Sequence, residues 1–133
     1  MVAAGSVSMH GKTASSLKNR SKVLGTAVLR AAGVLGIEQT RLAQVLGVST
    51  STISRLSRGT YSFKKTQKSW ELAVLVVRLY QGLETIMAGD EIAIRSWMWN
   101  LNTALRGSPT ELIATVTGLV GVVEYVESCL AQT

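Results

Sequence analysis

Between Ile37 and Gly59 the apolar positions fall into two short helical sets. Leu42, Ala43 and Leu46 share one face within Gln39 to Leu46, and Ile53 and Leu56 share a face within Thr50 to Arg58. Gly47 separates the sets and can take the left-handed conformation that closes a helix, while Ser49 is a good N-cap for the second. Small Ala43 lets the two helices approach closely at a steep angle. A plain helical hairpin would share the glycine turn. The small Ala43, the Gly47-Val48-Ser49 turn and an inward Ile53 below a polar outer face together predict a helix-turn-helix.

The remaining pattern is helical throughout, so the predicted fold is all-α. Lys22 to Leu35 reads as a helix with Val23, Leu24, Ala27, Val28, Ala31 and Leu35 on its packing side; Gly25 and Gly33 weaken it, so tertiary packing must stabilise it. Tyr61 and Phe63 are expected beneath the second helix of the motif. Trp70 to Met87 is strongly apolar, with Leu72, Leu75, Val76, Leu79, Leu83, Ile86 and Met87 at helical spacing and Trp70, Val74, Val77 and Tyr80 around the rest of the circumference. Such a helix needs cover on several sides, which predicts a homodimer; a helix central to one small bundle is the alternative. Asp90 is placed to cap a helix from Glu91 to Trp99, and Asn100 to Gly107 reads as a loop. Ser108, Pro109 and Glu111 form a capping-box start for a short helix ending near Thr115. A last helix from about Thr117 points Leu119, Val122, Val123, Val126 and Leu130 inward; its β-branched content would suit a strand, but the spacing favours helix.

Charge divides the chain near residue 69. Residues 1 to 69 hold eleven Lys/Arg against one acid, Glu38, a net +10, whereas residues 70 to 133 hold three arginines against seven acids, a net −4, and the whole is +6. Two halves so different are expected to meet different partners, one of them polyanionic. The predicted organisation is a flexible basic tail over 1–21, a helix-turn-helix domain over 22–69 and a second helical domain over 70–133. In the tail, Lys12, Lys18 and Arg20, with Lys22 just beyond, would form an arm gripping backbone phosphate, and His10 is expected to be solvated. The segment lacks the apolar stretch of a secretory signal and the arginines of a transit peptide.

The second helix of the motif shows its chemistry by subtraction. With Ile53 and Leu56 turned inward, Thr50, Ser51, Ser54, Arg55 and Arg58 face outward, and no acid occurs from Gln39 to Arg58. Short hydroxyls permit close approach to base edges and phosphates, and arginine can bind guanine bidentately. Gln39 opens the first helix, where it can bond a phosphate or brace a recognition side chain, and Lys64 and Lys65 follow as phosphate contacts. These features predict binding to double-stranded DNA. The segment resembles the helix-turn-helix of Xre-type, phage-repressor-like regulators, a resemblance that implies DNA-facing roles at Gln39, Thr50, Ser51 and Arg55.

The stretch Ser96 to Val123 carries a second resemblance. Trp97, Asn102, Ala104, Leu105, Gly107, Ser108, Pro109, Glu111, Leu112 and Gly118 are similar to the pattern of the toxin-binding domain of Xre/MbcA/ParS antitoxins, with Leu101 standing where many relatives have proline. The two resemblances together cover residues 22 to about 130. They imply a type II antitoxin whose partner is a RES-domain toxin, similar to ADP-ribosyltransferases, that degrades NAD or modifies a target with it. They imply that residues 70–133 bind the toxin and dimerise, that the C-terminal region blocks the toxin's active site, and that the complex binds its own promoter. Glu124, Glu127, Ser128, Gln132 and Thr133 are the expected toxin contacts, the acids as partners for arginines that otherwise hold NAD phosphates. The alternative is a stand-alone dimeric transcription regulator whose second domain only dimerises or senses a ligand.

Enzyme chemistry finds few parts. The single His10 and single Cys129 lie near opposite ends, so neither a Cys-His pair nor a metal cluster is expected, and no glycine pattern forms a phosphate loop. Glu124 and Glu127 as a carboxylate pair read better as a solvated helix face. No catalytic residue, metal or cofactor is expected. One cysteine excludes an internal disulfide, and no apolar run is long enough to span a membrane, so a cytoplasmic protein is expected; the resemblance implies a bacterial one, at the nucleoid when bound to its operator.

Overall fold

The computed structural model describes residues 2 to 132, with the side chains of residues 16 and 18 to 132. Among these, seven helices and no strand form: α1 Val2–Leu35, α2 Gln39–Leu46, α3 Thr50–Ser57, α4 Lys68–Ile86, α5 Glu91–Trp99, α6 Pro109–Leu112 and α7 Val116–Ala131. None is long and apolar enough to cross a membrane.

The helix ends follow local chemistry. Gly47 lies at φ 68° and its N–H reaches back to the carbonyls of Ala43 and Gln44, closing α2 as expected. The Ser49 side chain accepts from the Thr52 N–H to open α3, and Asp90 accepts from the Ala93 N–H to open α5. Ser108 stands at the N-cap of α6, but its side chain makes no capping bond, so Pro109 at the first position carries that start. Thr115 caps α7 by accepting from the Gly118 N–H.

Residues 2 to 21, within the stretch expected as a flexible tail, have a helical backbone that continues α1 back to Val2. No proline interrupts it, and once a helix is nucleated each added residue fixes two dihedrals for one hydrogen bond. The side chains of His10 and Lys12 lie outside the described residues. Val23, expected on the packing side, is instead 66 % exposed, because α1 turns Leu24, Val28, Ala31 and Leu35 inward.

One contiguous core runs through both halves. α4 sits at its centre, packed on α1 on one side and on α7 on the other, with Ala73, Val76, Leu79 and Leu83 fully buried. Within the chain, α7 and α1 bury Leu72, Val76, Leu79 and Leu83 of the apolar circumference that predicted a dimer, while Trp70, Val74, Leu75, Val77 and Tyr80 stay half-buried. Two grooves stay open along α4, one toward α1 lined by Val23, Ala27, Trp70 and Val77, the other toward α7 lined by Trp70, Val74, Leu75, Val116 and Val120.

Candidate nucleic-acid and partner interfaces

The buried side of α3 consists of Thr52, Ile53 and Leu56, which seat it on the core and leave the other faces to solvent. Thr50, Ser51, Arg55 and Arg58 are exposed and Ser54 is half-buried beside them; Gln39 is exposed at the start of α2, and Lys64 and Lys65 are exposed beyond α3. All eight sequence-predicted residues thus lie on or beside one motif. A residue that sequence reasoning passed over organises this face. The Thr52 hydroxyl sits 2.9 Å from the Ser49 hydroxyl and accepts from Nη2 of Arg55 at 3.2 Å, while Ser49 and Ser51 hydroxyls meet at 3.0 Å. This chain lays the guanidinium along α3, so less side-chain entropy remains to be lost when it contacts a base. The three-residue spacing from Thr52 to Arg55 was the available signal.

The loop after α3 is anchored rather than free. Thr60 donates from its N–H and its hydroxyl to the Arg55 carbonyl, at 2.9 and 3.1 Å. Phe63 is buried, with Tyr61 packed edge-on at 5.7 Å, and the Ser21 hydroxyl of α1 donates to the Phe63 carbonyl. Lys64 and Lys65 therefore project from a segment pinned to α1.

In the C-terminal half the motif residues are mostly scaffold. Asn102 and Gly107 exchange backbone hydrogen bonds at 3.0 and 3.3 Å, and the Asn102 side chain accepts from the Leu105 N–H at 3.1 Å, folding the loop into a tight hairpin. Trp97 stacks on Tyr125 of α7, ring centroids 6.5 Å apart. Buried Thr110 donates to the Met98 carbonyl at 2.6 Å. At Gly118 a Cβ would lie 1.8 Å from the Leu112 carbonyl oxygen, so only glycine permits the α6–α7 junction.

The predicted toxin contacts divide between two directions. Glu124, Ser128 and Gln132 are exposed and follow at four-residue spacing along α7. Glu127 turns toward α4, where Nε of Arg78 donates to it at 3.0 Å and Nη2 completes a two-bond pair. Those hydrogen bonds hold the Glu127 carboxyl below the ordinary glutamate range and raise the Arg78 guanidinium. Thr133 lies outside the described residues. Apolar exposure is concentrated in this half: Ile92, Trp99, Leu101 and Val116 all stand open.

Two arginines that the sequence pattern did not mark join the halves. Arg41 of α2 donates to the Thr110 carbonyl at 3.3 Å and lies 5.5 Å from the ring centroid of Trp99. Arg95 of α5 donates to the Gly33 and Val34 carbonyls at 2.9 and 3.1 Å, at the negative end of α1.

Residues 17–78 match the antitoxin Xre-like helix-turn-helix domain, and residues 83–130 match the antitoxin Xre/MbcA/ParS C-terminal toxin-binding domain. The chain belongs to the Xre/MbcA/ParS antitoxins. No curated protein matches it significantly. Neither domain of this Xre antitoxin belongs to an enzyme family. The helix-turn-helix match continues past residue 69 into α4, the helix that packs on α1. Trp97, the Asn102–Gly107 hairpin, Pro109 and Gly118 all lie within the toxin-binding match.

Proposed function

We propose that this Xre antitoxin neutralises a RES-domain toxin, an ADP-ribosyltransferase-like protein acting on NAD, by blocking its active site, and represses its own operon in the bacterial cytoplasm. One observation carries the reading: an acid-free face of hydroxyls and arginines on α3 shares a single core with a toxin-binding domain. On this reading Gln39, Thr50, Ser51, Ser54, Arg55 and Arg58 meet promoter DNA, with Lys64 and Lys65 on phosphates. Glu124, Ser128, Gln132 and Thr133 face the toxin, and Glu127 joins them by exchanging Arg78 for an arginine of the toxin. The antitoxin works as a homodimer inside a larger complex, paired through the open groove of α1 and α4. It needs no cofactor and catalyses nothing.

Truncation after Tyr125, in cells carrying the cognate toxin, tests the reading. The shortened chain should still bind promoter DNA but fail to preserve cellular NAD or rescue growth. Full rescue would move the neutralising surface to Trp97–Glu111. Promoter binding with no protection by either chain would favour a stand-alone regulator.

A further inference from the structure

We infer that the phosphate-binding surface continues from the loop lysines onto α1, where Lys18 and Lys22 grip the DNA backbone beside the C-terminal end of α3. This rests on the DNA-binding reading and extends it to a helix outside the helix-turn-helix. The placement follows from how α1 meets the motif. Ser21 bonds the Phe63 carbonyl, directly before Lys64 and Lys65. One turn on, Gly25 lies so close to Leu56 that a Cβ there would come within 3.0 Å of its Cδ1. Lys18 and Lys22, four residues apart, share the flank of α1 that borders this junction, and both are exposed.

Between α1, the end of α3 and the following loop runs an open groove of about 470 Å³. Lys22, Thr26, Ser57, Tyr61 and Ser62 supply its polar lining, one cation among hydroxyls. No Asp or Glu occurs before Glu38 or between Glu38 and Glu71, so no carboxylate of α1, α3 or the loop competes for these lysines; Glu84 of α4, which shares the α1–α4 groove with Lys22, is hydrogen-bonded to Tyr80. Such a lining suits a phosphodiester, which accepts from both ammonium and hydroxyl groups. Arg20 faces the other side of α1, in the groove proposed for dimerisation, so the control of equal charge is Arg106, exposed in the C-terminal half.

The test is a salt titration of binding to the promoter fragment and to an unrelated duplex, followed by fluorescence anisotropy with the full chain. The double variant Lys18→Ala/Lys22→Ala should weaken both duplexes by the same factor and flatten the slope of log K against log salt by about 1.8, or about 0.9 for each phosphate no longer neutralised. Lys64→Ala should flatten it by about 0.9. Arg106→Ala should leave it unchanged. An unchanged slope in the double variant, with wild-type binding intact, overturns this inference alone, as does an equal flattening in Arg106→Ala. Wild-type protein that binds neither duplex overturns the DNA reading with it. Loss of toxin binding by the double variant with DNA binding intact would reassign the lysines to an acidic protein surface and so overturn the inference as well.

Discussion

The two halves of this antitoxin each join two helices through a glycine, but for different physical reasons. Gly47 closes α2 at a left-handed φ with open space around it, whereas Gly118 at the start of α7 leaves no room for a Cβ. In the N-terminal half the junction presents a helix whose outward residues are the proposed DNA contacts. In the C-terminal half the motif residues turn inward, as hairpin, stack and buried hydroxyl. The contrast reflects what each partner requires. A DNA groove admits one helix, so one helix face suffices. A protein surface is met by patches assembled from several elements, which a linear motif does not spell out.

The comparison can be broken most severely at Gly118. Gly118→Ala puts a methyl into the Leu112 carbonyl, and we expect destabilisation by about 3 kcal/mol or more, read from denaturant unfolding. Because one core spans both halves, the transition should move as a whole. A stable N-terminal plateau surviving loss of the C-terminal signal would instead make the halves independent.

Next in size is association. Val77 lines the open groove between α1 and α4, so Val77→Glu should convert dimers to monomers in light scattering at micromolar concentration. Wild-type protein that is already monomeric there would remove the proposed interface.

Arg55 sharpens the contrast on the DNA side. Arg55→Ala removes the guanidinium held by Thr52, and discrimination between operator and unrelated DNA should fall by roughly 1–3 kcal/mol. Thr52→Ala, which frees the arginine without deleting it, should give a smaller drop in the same titration. Undiminished preference in Arg55→Ala would exclude it from base reading.

The smallest effect belongs to the pair of Arg78 and Glu127, which is partly exposed and so worth about 0–1 kcal/mol. Its carboxyl is more acidic folded than unfolded, so its stabilisation is complete at neutral pH and fades as pH falls through the depressed value, below the ordinary glutamate range. Glu127→Gln should therefore melt slightly below wild type at pH 7 and level with it only once the pH has fallen below the depressed value of the folded carboxyl. A gap that persists in acid would mean packing, not charge, holds these two side chains together.

Much was legible from periodicity. Leu42, Leu46, Ile53 and Leu56 fixed the two motif helices and, by exclusion, the outward face of α3, because a helix buries what its 3.6-residue repeat aligns. The same logic identified α4, α5 and α7, together with the caps at Ser49 and Asp90. It did not reveal cover from a distant segment. Part of the apolar surface of α4 packs on α1, which the whole helix-turn-helix separates from it in the chain.

By itself, then, the sequence determined which segments beyond Lys22 form helices, where α2 stops, which side chains of α3 face outward, and that positive charge gathers in the first half. These are consequences of local sterics and of spacing within a single element. Only the tertiary structure decided that one core unites the halves, that Arg41 and Arg95 fasten them, that Thr52 aims Arg55, and that Glu127 spends its charge on Arg78. Each is an interaction between groups whose separation in space is set by how helices cross, and helix crossing depends on the whole core at once rather than on any one repeat.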